Sequence, residues 1–507
     1  MKSRKSRPLA IVLAALALLL AAACGGGTGG EGTKPAAGPM NQDRAAPSRA
    51  PAQEQKAAGE ETAAGEPGAR EGRDTSAEQI STFALDVDTA SYGYARRLLG
   101  EGRLPDPAGV RPEEFVNSFR QDYREPADDG FAVHVDGARA PENGTALLRV
   151  GLQTRREDPE TRRPANLTFV VDVSGSMGEP GRLDLVRQSL HMLVDQLGPG
   201  DRISIVAFSD EAETVLSMTP ATDRETLHAA VDRLAVQDST NLEAGLTAGY
   251  AEASHAFRPV ATNRVILLSD GLANTGDTSW QGILDRVEES AGKQITLLCV
   301  GVGREYGDHL MEQLADNGDG AAVYVGSADE ARKVFAEQLA TTLDLRARDA
   351  KAQVVFNPAV VESYHLIGYE NRTLAAEDFR DDARDGGEIG PGHSVTALYR
   401  LRLRGGASGQ VATATVRWQD PDTRRPAEAS GSLEAGELSE SLWAGMPPRF
   451  QVDVVAAAFA EYLRGREPLA GVGVRDLAGH AARLAGSTED PMVTELAGLI
   501  GRAVELG

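Results

Sequence analysis

Asp172, Ser174 and Ser176 stand at alternate positions of Leu167-Thr168-Phe169-Val170-Val171-Asp172-Val173-Ser174-Gly175-Ser176-Met177-Gly178. One carboxylate and two hydroxyls pointed into a small volume are ligands for a hard divalent cation. Gly175 and Gly178 relieve the steric limit on φ that a tight turn would otherwise meet. A triplet this short also arises by chance. Its bland reading is a helix N-cap, with Asp172 or Ser174 accepting from the first free amides. Two other stretches carry oxygen ligands. Thr240 lies in Ser239-Thr240-Asn241-Leu242-Glu243-Ala244-Gly245, and Asp270 follows the apolar run Val265-Ile266-Leu267-Leu268-Ser269. Taken singly, Thr240 reads equally as an N-cap and Asp270 as a strand-end cap. Together they supply what a small cation wants: about six oxygens near 2.0–2.1 Å, with carboxylates that balance its charge without over-neutralising it.

These residues need a scaffold that brings three separate loops to one place. Leu167–Val171 reads as a strand buried on both faces, and Leu183, Val186, Leu190, Leu193 and Leu197 mark an amphipathic helix after it. The alternation continues through apolar strands Ile203–Phe208, Val265–Leu268 and Ile295–Val300, with a hairpin-like insertion around 214–218. Helices are expected near 181–197, 222–234, 241–256, 279–291, 307–316 and 329–343. Such alternation predicts an α/β fold with a doubly wound, mostly parallel, Rossmann-like sheet. In open sheets of this kind ligands gather at the carboxyl ends of the strands, which is where Asp172 and Asp270 fall.

The flanks follow other periods. Ser81–Thr89 opens the folded sequence; Asp88 or Thr89 can cap a helix holding Ala90, Tyr94 and Leu98, and a second helix is expected over Pro112–Phe119. A calcium loop at Asp86 and Asp88 is disfavoured, because Ala90 and Ser91 stand where an oxygen ligand and a glycine belong. Phe131, Val133 and Val135, then Leu148, Val150 and Leu152, alternate as strands with one wet face. Beyond 346, Val395, Ala397, Tyr399, Leu401 and Leu403 and then 411–418 alternate again. A β-sandwich-like domain is expected there, sharing strands with 131–153 and leaving the α/β domain as an insertion. Two helical stripes close the chain: Phe450, Val454, Ala458, Phe459 and Tyr462, then Val493, Leu496, Ile500 and Val504. The near-identical stretches 158–165 and 420–427 read as Asp-Pro turns.

At the amino end, Lys2, Arg4, Lys5 and Arg7 precede an apolar run from Leu9 to Ala23 that stops at Cys24. This is the pattern of a secretory signal, too short for a permanent spanning helix. Leu20-Ala21-Ala22-Ala23-Cys24 resembles the bacterial lipobox, which implies lipidation of Cys24 and anchoring at the cell envelope; the alternative is an ordinary signal with Cys24 incidental. Residues 25–78 hold scarcely an aliphatic side chain larger than Ala, so a disordered tether of roughly 40 Å is expected. Cys24 and Cys299 are the only cysteines, and Cys299 sits in an apolar run, so no disulfide scaffold is expected. The formal net charge of −23 repels phosphate backbones and disfavours nucleic-acid binding. The expected organisation is a signal at 1–23, tether at 24–78, N-terminal extension at 79–165, α/β domain at 166–345, β-rich domain at 346–435 and helical segment at 440–507.

Asp172-x-Ser174-x-Ser176, Thr240 and Ser269-Asp270-Gly271, in that order, resemble the metal-ion-dependent adhesion site of a von Willebrand factor A domain. The resemblance implies that Asp172, Ser174, Ser176, Thr240 and Asp270 hold Mg²⁺, or Mn²⁺ or Ca²⁺, directly or through water. It also implies that an Asp or Glu of a protein partner completes the shell. Asp238 stands where glycine is usual, placing an extra carboxylate near the rim. The stretches 83–92 and 113–117, Leu366-Ile367-Gly368-Tyr369-Glu370-Asn371-Arg372 and the terminal helices further resemble bacterial A-domain lipoproteins sometimes labelled calcium-activated chloride channel homologues. With no spanning segment beyond the leader, the channel label does not follow.

The reading is therefore a membrane-anchored binding module with no small-molecule substrate and no catalytic residues. One alternative is a scaffold whose metal only staples loops. The other is an enzyme. Gly301-Val302-Gly303-Arg304-Glu305-Tyr306-Gly307 imitates a dinucleotide loop, but its third glycine comes one residue late. Neither serine lies in a Gly-x-Ser-x-Gly elbow, and His191 and His228 fall on predicted helices.

Overall fold

The computed structural model describes residues 79–507 except 86–87, 143, 157–161, 271–279, 304–308, 319, 333, 336–344, 383, 385 and 407. The expected signal at 1–23, Cys24, the tether at 24–78, Asp86 and Gly271 lie outside the described residues.

The chain opens with β1 (Ile80–Ala84), α1 (Ala90–Gly100), α2 (Pro112–Asn117) and the hairpin β2 (Phe131–Arg139) and β3 (Thr145–Thr154). An α/β unit follows: β4 (Ala165–Asp172), α3 (Leu183–Gln196), β5 (Arg202–Phe208), β6 (Ala212–Pro220), α4 (Arg224–Asp232), α5 (Leu242–His255), β7 (Thr262–Ser269), α6 (Trp280–Gly292), β8 (Ile295–Val302), α7 (His309–Asn317), β9 (Ala321–Val325) and α8 (Ala328–Ala331). Then come β10 (Ala347–Phe356), β11 (Val361–Ile367), β12 (Thr373–Leu374), β13 (Gly387–Ile389), β14 (Ser394–Leu403), β15 (Gln410–Gln419) and β16 (Pro426–Glu434). Helices α9 (Leu442–Gly445), α10 (Pro448–Leu463), α11 (Val474–Thr488) and α12 (Pro491–Leu506) end it.

The α/β sheet has the spatial order β6-β5-β4-β7-β8-β9, parallel throughout except for β6 against β5. Every residue of β4 and β8 is buried, because helices cover both faces. One face packs Leu167, Phe169 and Val171 against α3 residues such as Val186, Leu190 and Leu193. The other packs Val170, Val265 and Leu267 against Leu246 and Tyr250 of α5. Gly245 and Gly249 let α5 lie close: a Cβ on Gly249 would stand 2.3 Å from Val170 Cγ2, and one on Gly245 2.6 Å from the Phe208 ring. Strand β9 is not visible in the sequence pattern, since five residues starting Ala-Ala carry too little hydrophobic signal to separate from the helices around them.

Strands of the expected N-terminal extension and the expected β-rich domain share sheets. β1 pairs with β10, and β3 pairs with β14 along Thr145–Gln153, so the two segments form one β-sandwich interrupted by the α/β unit. The sheets run β12-β1-β10-β15-β16 and β11-β14-β3-β2. The expected wet face of β3 is a correction, because the strand is buried along its whole length. Ala146, Leu148, Val150 and Leu152 fill the sandwich core, while Leu147 joins the helical core of α2, α10, α11 and α12. Helices cover the outer face, and the same is true of Leu398 in β14. Nor does α10 bury a single stripe. Phe450 through Glu461 is buried at every position, including Gln451, Asp453 and Glu461.

At the start of α1 the N-cap residue Thr89 makes no side-chain cap, and Asp88 lies 3.6 Å from Arg372 Nη2 as an ion pair. The two Asp-Pro stretches touch, since Arg163 of the first pairs with Asp422 of the second. No helix among the described residues is long and apolar enough to cross a membrane.

His393, just before β14, faces a cavity of about 610 Å³ between the α/β sheet, the sandwich and the C-terminal helices. Burial, and then the nearby Arg264 guanidinium, push its imidazole down from the usual 6.5 to about 4. As pH falls from about 6.5 to about 4 the unfolded chain takes up a proton here and the folded chain does not, so stability falls with pH across that window. Replacing the residue, His393→Gln, flattens that part of the profile. Urea unfolding of both chains at pH 7 and pH 4.5 reads the difference, and equal slopes would refute it.

Candidate metal centre

In the spatial order of the α/β sheet the chain winds outward from β4 through β5 to β6, then resumes at β7 on the other side of β4 and winds away through β8 and β9. The carboxyl ends of β4 and β7 flank the crevice at this switch point. Asp172 is the last residue of β4, Ser269 the last of β7, and Asp270 follows it.

The first loop does not cap a helix. The helix α3 starts at Leu183 with Arg182 at its N-cap position and no side-chain cap. A short 3₁₀ turn over Gly175–Gly178 lies between, and its N-cap residue Ser174 makes no side-chain cap either. Instead, Asp172 Oδ1 accepts from the Ser174 amide at 2.9 Å, and Oδ2 accepts from Ser269 Oγ at 2.7 Å. Ser174 Oγ and Ser176 Oγ stand 3.1 Å apart. Ligands on adjacent corners of a magnesium octahedron are about 2.9 Å apart. Asp172 is 0% exposed and Ser174 1%, with Ser176 at the half-buried edge. Burial, assisted by the charge of Asp270, holds the Asp172 carboxyl above the usual carboxylate range, while hydrogen bonds from Ser174 and Ser269 pull the other way. A buried carboxylate in that balance gains from a cation beside it.

Thr240 lies on the loop into α5 and is half-buried. The cap of α5 is its neighbour Asn241, whose side chain accepts from the Ala244 amide at 3.0 Å, so the N-cap reading of Thr240 gives way. Ser239 holds φ at +76°, a left-handed conformation uncommon for serine, and turns the chain just before Thr240. The loop is stitched to the first strands: the Gln237 amide donates to the Val173 carbonyl at 2.7 Å, and the Asn241 amide to the Ser209 carbonyl. Asp238, next to this turn, is exposed.

Two roles were not anticipated. Ser269 orients Asp172 as described. Arg182, 7% exposed, donates from Nη1 to Asp270 Oδ2 at 2.6 Å and to the Ser176 carbonyl at 3.1 Å, and pairs through Nη2 with Glu179 at 2.9 Å. The guanidinium thus joins the β4 turn to the β7 end. Nothing in local periodicity marks an arginine six residues past the serine, since its partner lies 88 residues on. Gly303 makes room for it: its φ is +108°, and a Cβ there would stand 3.2 Å from Arg182 Nε. A Cβ on Gly301 would meet the Tyr324 ring at 2.3 Å, so the first two glycines of the apparent dinucleotide motif are used in packing.

The chain matches the model of the von Willebrand factor type A domain over residues 166–337, that of von Willebrand factor over 66–149, and that of the uncharacterized protein YfbK, C-terminal, over 341–412. It is similar to the uncharacterized protein YfbK of Escherichia coli, 38% identical over 336 residues that cover 64% of this chain and 58% of that one. It is also similar to inter-alpha-trypsin inhibitor heavy chain H3 of Mus musculus, 31% identical over 169 residues covering 31% of this chain and 19% of that one. Thus the chain spans little more than half of the first relative and a fifth of the second. Among solved structures it is similar to a von Willebrand factor type A protein from Catenulispora acidiphila, at 18% identity and TM-score 0.44, over 75% of this chain and 91% of that one.

Proposed function

From a chain that carries a von Willebrand factor type A domain and is related to YfbK, we propose a metal-dependent protein-binding module, exported and held at the cell envelope by lipid on Cys24. Domains of this type commonly bind protein partners. In this reading Asp172, Ser174, Ser176, Thr240 and Asp270 hold Mg²⁺, or Mn²⁺ or Ca²⁺, directly or through water. The ion supplies an electrophilic position that attracts a carboxylate of the partner. The observation that carries the reading is the 3.1 Å separation of the Ser174 and Ser176 hydroxyls beside a wholly buried Asp172 at the switch point of the sheet.

Charge argues for an acidic ligand. Asp172 and Asp270 bring two negative charges, and Arg182 cancels one of them at Asp270. A divalent ion on this set keeps about one positive charge, which one further carboxylate neutralises. Arg182 already ties the β4 turn to the β7 end, so a metal that merely staples these loops would duplicate an existing tie. Replacing it, Arg182→Met, is expected to tighten Mg²⁺ binding about tenfold by removing the competing cation. Calorimetric titration of both chains checks this; unchanged or weaker binding would show that Arg182 serves only to place Asp270.

The test of the function is affinity capture from the native membrane, with and without Mg²⁺, using wild type and Asp172→Ala. Capture of a partner that needs both the metal and Asp172 supports the reading; capture indifferent to both removes it.

A further inference from the structure

Away from these loops, His191 of α3 and His228 of α4 meet edge to edge through their Nδ1 atoms. Their Nδ1 atoms are 2.7 Å apart, and the rings lie 28° from parallel with centroids 5.0 Å apart. Behind each ring is a carboxylate of the opposite helix: His191 Nε2 lies 3.2 Å from Asp232 Oδ1, and His228 Nε2 lies 3.3 Å from Asp195 Oδ1. Each helix thus contributes a histidine and an aspartate four residues later, and the aspartates cross over. Asp195 also lies 3.7 Å from Arg224 Nη1.

Counting hydrogens makes the arrangement informative. Three contacts, two Nε2 to carboxylate and one Nδ1 to Nδ1, each need a hydrogen on nitrogen, and two neutral imidazoles carry only two. When both Nε2 atoms donate to the aspartates, which as carboxylates accept only, two bare Nδ1 lone pairs are left facing each other. A cation placed between the two lone pairs, a metal ion or a proton, satisfies both.

We infer that the pair is a site for a borderline divalent transition metal of the Zn²⁺ class, with His191 Nδ1 and His228 Nδ1 as ligands. Imidazole nitrogen suits these ions. A carboxylate on the far nitrogen is the arrangement that fixes the tautomer and raises the basicity of metal-binding histidines. Two such ligands about 2.0–2.1 Å from a tetrahedral ion sit roughly 3.3 Å apart, so the rings must part by about half an ångström. Both side chains are about one-third exposed, at 33% and 31%, which leaves room for that movement and for water. With two protein ligands, the ion would take its remaining positions from water. The site shares no residue with the proposed Mg²⁺ ligands and does not depend on them.

The full chain, held in excess Mg²⁺ to occupy the other site, is dialysed against Zn²⁺ and its retained zinc measured. Wild type is expected to keep one equivalent more than the double variant His191→Gln/His228→Gln. The double variant Asp195→Asn/Asp232→Asn, which keeps both ligands, is expected to bind that equivalent tenfold more weakly or worse. Equal zinc retention by wild type and the histidine variant overturns the proposal. If those two chains then differ only in proton uptake on acidification, the charge between the rings is a shared proton and the metal assignment falls.

Discussion

Mg²⁺ is expected to raise the melting temperature of the wild-type chain, and the rise is expected to be absent in Asp172→Asn. The expectation follows from linkage: an ion bound only by the folded state stabilises it by about 2.7 kcal/mol when present at a hundred times its dissociation constant. Asp172→Asn is the discriminating variant because its amide oxygen can still accept from the Ser174 amide while its NH2 donates to Ser269 Oγ, reversing the bond that the second carboxylate oxygen accepts in wild type. The charge goes while the hydrogen-bonding shape remains. Without Mg²⁺ the variant should melt at or slightly above wild type, since the wild-type carboxylate bears the cost of burial beside Asp270. Differential scanning fluorimetry across a Mg²⁺ series, repeated after chelation, measures both effects. A wild-type transition that ignores millimolar Mg²⁺, Mn²⁺ and Ca²⁺ alike would end the metal assignment.

The second large effect lies far from that centre. Arg149 on β3, 5% exposed, donates to Asp136 from Nη2 at 2.7 Å and Nε at 3.0 Å, and from Nη1 to Asp453 on α10 at 2.8 Å. Its guanidinium lies 5.0 Å from the Tyr123 ring centroid and 4.9 Å from that of Phe450. Asp453 is wholly buried, and Gln121 also donates to it, at 2.6 Å. This one arginine clamps the sandwich to the helical layer. Its removal, Arg149→Met, leaves a carboxylate buried without its cation and should destabilise the chain by about 3–5 kcal/mol at pH 8. Burial already pushes Asp453 up to about 6 against the pull of Arg149, so losing the arginine lets it protonate more readily still. The deficit of Arg149→Met should therefore shrink as pH falls from 8 toward 6 and level off below about 6, where wild-type Asp453 takes up its proton as well. Urea midpoints at the two pH values test magnitude and sign together. Arg149→Lys should recover little, because one ammonium cannot span Asp136 and Asp453 with the same planar fork.

The hydrophobic period made the α/β unit legible. Strands β4, β5, β7 and β8 are continuous apolar runs because helices cover both faces of the sheet, and that burial is written into consecutive residues. The same local logic failed for β3 and α10. A strand packed between a second sheet and a helical layer keeps its alternation, but Leu147, Arg149 and Gly151 face protein instead of water. Nothing in those residue types reports which; a Cβ on Gly151 would stand 2.2 Å from the Tyr123 ring. Asp453 and Glu461 stand outside the expected apolar stripe of α10 and are buried as well.

The sequence by itself determined which oxygens stand at the ends of which strands, because strand, turn and helix are set by neighbours within a few residues. Only the tertiary structure decided that Ser269 holds Asp172, that Arg182 reaches Asp270, and that His191 meets His228 across 37 residues. Such contacts depend on strand order and on which helix faces lie together. Those are set by the burial of whole layers, and no local pattern encodes the identity of a partner so distant along the chain.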